Sequence, residues 1–239
     1  MTPPPPNHDA AVLVADPLPV PRYLEQVYWW AYVHPRAVHV FEREWLVNLI
    51  LFGNYNRLRD LALDDLGPTV HGRVLQLACV YGDLTPRLQR RLAPDARLDI
   101  VDILPIQLAN LAKKLPDDDR VLLTQGDSSA LACADASYDQ VLLFFLLHEQ
   151  PEHVRRGTLA EALRVVKPGG RVVIVDYHRP AVWHPMRMLM KVVFRNLEPY
   201  AMELWHHGLE AFLPAHAAPA SITKSTYFGG LYQKLVLTR

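Results

Sequence analysis

The stretch VLQLACVYGDLT, from Val74 to Thr85, decides the fold class of this chain. It predicts a buried strand, a tight turn at Gly82 and a helix that begins at about Thr85. A strand that turns directly into a helix puts backbone N–H groups and a helix N-terminus at the carboxyl edge of a sheet, where open α/β folds bind ligands. We therefore expect a ligand site at this turn. The alternative is an ordinary connection between a strand and a helix.

Strands and helices continue to alternate downstream of this turn. Further apolar strands are predicted at RLDIVDI, RVLLTQGD, DQVLLFFLL and RVVIVDY, with helices at about Thr85–Leu92, Pro105–Leu115 and Glu152–Val166. A helical stretch from Trp183 to Phe212 follows, and two strands, ITKSTYF and YQKLVLTR, close the chain. Such alternation is typical of a parallel sheet covered by helices on both faces. We predict a Rossmann-like α/β fold with a mostly parallel, seven-stranded sheet over residues 72–239.

Two segments precede this predicted sheet. Residues 1–20 are rich in proline and are predicted to form a disordered leader. Residues 21–67 are predicted to form an N-terminal helical cap, in which Pro35 begins a long second helix and Gly67 ends it. Apolar residues at steps of three and four support that helix, namely Val38, Phe41, Trp45, Leu49 and Phe52.

The composition excludes several classes of protein. Among 239 residues, Lys plus Arg and Asp plus Glu number 25 each, so no net charge attracts the chain to nucleic acid. The 2 cysteines are too few for a disulfide framework and indicate a reducing compartment. The N-terminus lacks the pattern of a signal peptide, and the apolar runs are shorter than the ~20 residues that span a bilayer. We expect a cytoplasmic protein.

Two carboxyl ends of predicted strands carry candidate ligand residues. Asp102 closes the second strand about twenty residues after the turn, where an acid commonly pairs with ribose hydroxyls. Asp127 follows the third strand, and the sequence RVVKPGGRVVIVDY leads into the fifth. Each carboxylate alone could instead be a strand-end or turn residue.

This order of motifs resembles the class I S-adenosylmethionine (SAM) methyltransferases, especially the branch that modifies quinones. The resemblance covers Val74 to Arg239 and implies SAM as the cofactor. It implies that Asp102 binds the ribose, and that the Asp127 carboxylate and the Ser128 backbone N–H bind the adenine. The other cofactor contacts carried over by position are Gln76, Ala78, Tyr81, Gly82, Ile103 and Phe144.

The first motif departs from that superfamily. In place of an acid and three glycines, the chain has Gln76, Ala78 and Val80, and only Gly82 remains. The missing acid normally helps to hold the ammonium group of SAM. Because an opposite charge favours the charged form, its loss leaves the amine freer to give up its proton, and an unperturbed α-amino group titrates at about 7.7 to 8.0.

The string VYGD, Val80 to Asp83, and the aromatic segment YWWAYVHPRAVHVFEREW upstream resemble the RquA family of rhodoquinone-biosynthesis proteins. In that family a V-x-Y-G-D motif replaces the usual SAM turn; here its valine is Cys79, so the end of the motif matches and its first position does not. This resemblance implies that ubiquinone becomes rhodoquinone, a quinone of anaerobic respiration. One ring methoxy group would be replaced by an amino group, with SAM as the amino donor and Mn(II) required.

Four residues are candidates for catalysis under this resemblance: Tyr81, Asp83, His148 and His178. Tyr81 and Asp83 would orient the methionine end of SAM; alternatively, Asp83 caps the following helix. His148 and Glu149 follow the fourth strand and could bind Mn(II), or His148 could act as a base. Alternatively, this His-Glu pair is structural.

The implied substrate, ubiquinone, is dissolved in a membrane, so we expect peripheral contact with the inner face of that membrane. Two segments could make it: the aromatic cap, with Tyr28, Trp29, Trp30, Tyr32 and Trp45, and residues 182–205, as an interfacial helix or a hydrophobic lid. Apolar residues at this spacing could instead be plain core. Two rival functions stay open, namely a conventional SAM-dependent methyltransferase of a quinone or phenol, and a non-catalytic quinone or lipid carrier.

Overall fold

The computed structural model describes residues 18–29, 31, 38, 40–215 and 218–239. Within them, seven strands form one sheet in the order β3-β2-β1-β4-β5-β7-β6. Strands β1 to β5 pair in parallel, whereas β7 pairs antiparallel with both β5 and β6. The strands are β1 Arg73–Leu77, β2 Arg97–Asp102, β3 Val121–Gln125, β4 Tyr138–Phe144, β5 Val166–Tyr177, β6 Ser221–Tyr227 and β7 Tyr232–Thr238. The predicted fold class is confirmed.

Helices cover both faces of this sheet. In the described ranges they are α1 Arg22–Val27, α2 Glu44–Ile50, α3 Tyr55–Leu66, α4 Leu84–Arg90, α5 Pro105–Ala112, α6 Glu152–Val165, α7 Arg187–Asn196 and α8 Ala201–His207. Short 3₁₀ turns stand at Leu147–Glu149 and Leu209–Phe212. None of the helices in the described ranges is long and apolar enough to cross a bilayer.

The continuous apolar run of β4 is explained by burial on two sides. Leu142 and Phe144 pack in one core cluster, while Val141 and Leu143 pack in the cluster on the other face of the sheet. Successive side chains of a strand point to opposite faces, so a strand covered on both faces needs apolar residues at every position. The ends of such strands meet at one sheet edge, and the site lies there.

The sequence predicted one long second helix that ends at Gly67, and this prediction is wrong because the structure has two helices there. Helices α2 and α3 are separate, because Phe52 and Gly53 both have a positive φ, 51° and 76°. Gly67 does end α3, with a φ of 111°. Trp45 and Leu49 are exposed rather than part of one buried face. The predicted helix start at Pro35 lies outside the described residues, as do Trp30, Tyr32 and nearly all of the predicted leader.

The predicted helical stretch from Trp183 to Phe212 is also divided. Helix α7 ends at Asn196 and α8 begins at Ala201. Pro199 lies between them, and proline removes a backbone donor and clashes with the preceding turn of a helix. The break brings Glu198 and Tyr200 to the wall of the central pocket.

Candidate active site

A pocket of about 640 Å³ opens at the carboxyl edge of the parallel strands. Its size lies within the range of roughly 300 to 1,000 Å³ that is common for small-molecule sites. One wall comes from the ends of β1, β2 and β4, and another from α1, α2 and the segment between them. Of the predicted site residues, it brings together Ala78, Tyr81, Asp102, Ile103, Asp127, Ser128, Phe144, His148 and Glu149.

Gln76 lies behind the turn rather than in the pocket wall. Its side chain is fully buried. The Nε2 atom donates to the Ala78 carbonyl at 2.9 Å, and Oε1 accepts the Thr85 hydroxyl at 3.0 Å. Both ends of the amide are therefore used within the turn, where Ala78 has a positive φ of 69°. The residue that replaces the usual acid stabilises the shape of the turn.

Gly82 and Asp83 also lie outside the wall and build the start of α4. A Cβ atom on Gly82 would collide with the hydroxyl of Tyr55. This hydroxyl accepts the N–H groups of Asp83 and Leu84 at 2.9 and 3.2 Å and donates to the Tyr81 carbonyl at 3.2 Å. Tyr55, which sequence reasoning missed, thus serves the orphan donors of the helix.

Asp83 occupies the N-cap position of α4, but its side chain makes no capping hydrogen bond. Its carboxylate instead pairs with Arg59 at 2.6 Å and with Arg87 at 2.5 Å. Burial alone would raise the pKa of Asp83, but these guanidinium groups outweigh it and lower the pKa. The side chain is committed to an ion-pair cluster beside the turn.

The two predicted nucleoside-binding carboxylates stand at neighbouring strand ends. Asp102 accepts the N–H of Cys79 at 2.6 Å and the N–H of Leu104 at 2.8 Å. Burial raises the pKa of Asp102 to about 6, although these hydrogen bonds lower it in part. Oδ1 of Asp127 accepts the N–H and the hydroxyl of Ser129 at 2.8 and 2.7 Å, so its second oxygen is the one open to a ligand.

His148 lies after β4 and is aligned by Asp176, which is fully buried. The Nδ1 and Oδ1 atoms are 2.9 Å apart, and Oδ2 accepts the Leu147 N–H at 2.9 Å. Burial alone would lower the pKa of His148, but Asp176, Glu198 and Glu149 outweigh it and raise the pKa to about 9. The raised pKa favours the imidazolium form, which can donate a proton; the role of a base, which the sequence also suggested, stays a prediction.

Glu198 and Arg155 are parts of the site that sequence reasoning missed. Glu198 Oε2 lies 4.0 Å from His148 Nε2, and burial raises the pKa of Glu198. The fully buried Arg155 donates to the carbonyls of Leu147, Gln150 and Tyr200 at 2.8, 2.7 and 2.9 Å. Arg155 thereby fixes the loop after β4 against the break between α7 and α8. Its position within α6 gave no signal for this role.

His178 does not belong to the pocket wall. Its Nδ1 atom donates to the Gly230 carbonyl at 2.8 Å, which ties the end of β5 to the turn between β6 and β7. Burial lowers the pKa of His178. The structure therefore brings His148 and Tyr81 into one pocket and leaves His178 apart from them.

The donor set does not fit a protein-held Mn(II) ion. Within the described ranges, no group of three or more His, Cys, Asp or Glu side chains is arranged to hold a metal. His148 Nε2 and Glu149 Oε1 are 3.6 Å apart and supply two donors. The described side chains therefore supply too few donors for a protein-held Mn(II) ion.

The N-terminal segment is held against the cofactor turn by a few polar contacts. Tyr81 donates its hydroxyl to the Ala31 carbonyl and accepts Gln107 Nε2, both at 2.8 Å. Glu42 accepts the Gly82 N–H at 3.2 Å and pairs with Lys114 at 2.5 Å. The cap is thus a wall of the pocket and is bonded to the turn itself.

Comparison with known sequences supports this architecture. Residues 74–170 match the family described as a methyltransferase domain. A demethylmenaquinone methyltransferase of Staphylococcus aureus is 29% identical over 167 residues, which cover 70% of this chain and 68% of that protein.

Solved structures agree on the fold. Phosphoethanolamine N-methyltransferase 2 of Haemonchus contortus, solved with SAM, superposes with a TM-score of 0.62 at 12% identity, covering 91% of this chain and 59% of that one. The N-methyltransferase NodS of Bradyrhizobium japonicum, solved with S-adenosylhomocysteine, gives 0.50 at 13% identity, covering 76% of this chain and 83% of that one. The strand order and these superpositions show the Rossmann-like fold of the class I SAM methyltransferases, and residues 74–170 are similar to the methyltransferase domain family.

Proposed function

We propose that this protein uses SAM to replace a ring methoxy group of ubiquinone by an amino group, giving rhodoquinone. A SAM cofactor is supported by Asp102, Asp127 and Ser128, which line one pocket at neighbouring strand ends. A quinone substrate is supported by the relative from Staphylococcus aureus, which is named for its action on demethylmenaquinone. The transfer of an amino group, rather than a methyl group, is inferred from the turn between β1 and α4.

The observation that carries the amino transfer is the loss of a carboxylate from the wall at this turn. Gln76 spends both ends of its amide inside the turn. The nearby carboxylates of Glu42 and Asp83 are paired with Lys114, Arg59 and Arg87 and do not line the pocket. Because no turn carboxylate stabilises the ammonium form, the SAM amine loses its proton more readily. A neutral amine is what nucleophilic attack requires.

The opposite wall supplies the acid for the exchange. The SAM nitrogen attacks the ring carbon that bears the methoxy group, and the electron pair moves to the quinone oxygen. As that pair returns, the ring C–O bond breaks and methoxide leaves as methanol, with a proton from the His148 imidazolium. His148 then recovers the proton that the attacking nitrogen releases. At this stage the nitrogen is bonded to both the quinone ring and the SAM Cα. An elimination completes the transfer: the SAM Cβ loses a proton, the Cα–N bond breaks, the nitrogen takes up a proton, and an unsaturated SAM carbon skeleton leaves. Phe145 and Tyr177 stand at 6.0 and 4.8 Å from the His148 ring and offer aromatic surface for the quinone.

The decisive experiment supplies ubiquinone and SAM labelled in the amine nitrogen, followed by mass analysis of the quinone. We expect a lighter quinone that carries the label, together with methanol. The matched control uses SAM labelled in the methyl group, which should leave the quinone unlabelled. A methyl-labelled quinone and S-adenosylhomocysteine would contradict the proposal.

That contrary result is the signature of the second candidate, a conventional methyltransferase of a quinone or phenol. The match of residues 74–170 to a methyltransferase domain favours it. The third candidate, a non-catalytic quinone or lipid carrier, predicts no heat of SAM binding in calorimetry. Dependence on Mn(II) stays a prediction of the RquA resemblance; chelation followed by return of Mn(II) tests it.

We further propose that the protein works in the cytoplasm and touches the inner face of a membrane when it meets its quinone. The isoprenoid tail keeps the ring of ubiquinone near the bilayer, so a protein that acts on the ring must approach the lipid surface. Separation of cell membranes from cytoplasm, with and without a salt wash, tests this location. Loss of the protein from washed membranes is the expected result.

A further inference from the structure

We infer that α7 and the loop before it form a docking surface for an anionic lipid bilayer. This surface, called the α7 face below, consists of the exposed residues Val182, Trp183, Met188, Leu189, Val192 and Leu197 and of the cations Arg187, Lys191 and Arg195. Its use in turnover rests on the proposed action on a membrane-dissolved quinone. The binding itself does not depend on that action.

The apolar part of the α7 face is unusual for a helix end on a protein surface. Val182, Trp183 and Met188 expose 82%, 78% and 68% of their area, and Val192 exposes 59%. A different side of the same helix is packed, because Met190 and Phe194 are buried in the core. The helix therefore has two apolar sides, and among the described residues only one of them packs against the fold. Contiguous exposed apolar surface marks sites of interaction.

The charges of α7 select the partner. Arg187, Lys191 and Arg195 recur every four residues and so form a row along one side, next to the exposed apolar residues. The helix contains no Asp or Glu. No carboxylate of the described residues lies within ion-pair distance of these cations. The guanidinium group of Arg187 donates to the Pro180 carbonyl at 2.8 Å. A row of cations beside apolar and Trp side chains is the pattern of a helix that lies in the headgroup region.

The α7 face is also connected to the pocket. Phe194 packs edge-on against Tyr177, a pocket residue, with ring centroids 4.9 Å apart. Glu198 and Tyr200, which follow α7 directly, line the pocket. A bilayer that holds α7 would therefore hold the pocket wall near the depth at which a quinone ring lies.

The test is co-flotation of the full chain with vesicles that contain no quinone. We expect binding to vesicles with phosphatidylglycerol, weak binding to pure phosphatidylcholine vesicles, and loss of binding in high salt. Each unit of charge near an anionic surface is worth about fivefold in partitioning, and Lys191→Glu changes the charge by two, so it should weaken binding roughly 25-fold. Trp183→Ser should weaken binding to both kinds of vesicle.

Arg90→Glu is the matched control, because Arg90 is an exposed cation on α4, away from the α7 face. It should bind vesicles as the unchanged protein does. Equal flotation of Lys191→Glu, Trp183→Ser and Arg90→Glu would overturn the inference. The inference would also be overturned if the protein bound no vesicles and formed a dimer in light scattering that Trp183→Ser dissociates. Flotation as expected without labelled rhodoquinone would refute the proposed chemistry and leave the α7 face intact.

Discussion

If Asp102 binds the cofactor ribose as proposed, this one buried side chain sets the pH range of cofactor binding. Its carboxylate is held by two backbone N–H groups at the end of β2, and burial raises its pKa to about 6. A carboxyl group with a raised pKa becomes neutral as the pH falls through that value. A neutral acid is a weaker acceptor for ribose hydroxyls than a carboxylate is.

We therefore expect SAM affinity to fall as the pH decreases below about 6, by up to about tenfold for each pH unit. Calorimetric titration between pH 8 and pH 5 measures it. Asp102→Asn should bind SAM weakly at every pH. Asp95→Asn, a change at an exposed loop carboxylate, should follow the unchanged protein. A flat profile in the unchanged protein would contradict the assignment of Asp102 to the ribose.

His148 gives the second prediction at this scale. Because the pKa of His148 is raised to about 9, its proton is present at neutral pH and is lost as the pH rises through that value. The rate of quinone conversion should therefore fall as the pH rises through about 9. His148→Gln should lower turnover by at least about 100-fold, the usual contribution of a general acid, while SAM affinity stays within a factor of two.

Asp176→Asn removes the anion that aligns His148 at 2.9 Å, so the alkaline limb should move to lower pH. The pH dependence of turnover at saturating SAM distinguishes this shift from unfolding, because an unfolded variant would lose turnover at every pH. His178→Gln is the control, because His178 bonds to Gly230 outside the pocket. If the His178 variant lost as much turnover as the His148 variant, the conclusion that His178 lies outside the active site would be wrong.

At the scale of elements, the cap is held to the cofactor turn by Glu42. Glu42→Gln keeps the shape of the side chain but removes the charge that pairs with Lys114. We expect SAM to dissociate about tenfold faster, as for the loss of a hydrogen bond to a charged group, and α1 to exchange its amide hydrogens faster. Stopped-flow release and hydrogen exchange measure the two effects. Glu44→Gln, on α2 beside Arg59, is the matched control, and an equal effect there would contradict the anchoring role.

The residues at the strand ends were predictable because short apolar runs mark each strand in the local sequence. Asp102, Asp127 and His148 each follow a strand of strong apolar character, and parallel strands meet at one edge. The partners of these residues were not predictable. Tyr28 interacts with Glu198, which is 170 positions away in the sequence, and only the finished fold brings the two together. The break between α2 and α3 also escaped prediction, since Phe52 takes a left-handed conformation that phenylalanine seldom adopts.

At the scale of the whole molecule, SAM should stabilise the fold, because the pocket joins the cap to the sheet. A ligand present at about 100 times its dissociation constant adds about 2.7 kcal/mol to the free energy of unfolding when it binds only the folded state. Denaturant titration with and without SAM measures this gain. The carrier hypothesis predicts no gain from SAM and a gain from quinone in detergent.

The bonding of Tyr81 to Ala31 and of Glu42 to the turn has a kinetic consequence. Since the cap is itself a wall, we predict that a spent cofactor leaves only when that wall moves. Release of the spent cofactor would then limit the steady-state rate, and the chemical step itself would be faster than that rate. Mixing an excess of quinone with enzyme already loaded with SAM should give a first turnover burst close to the amount of enzyme, followed by a slower linear phase.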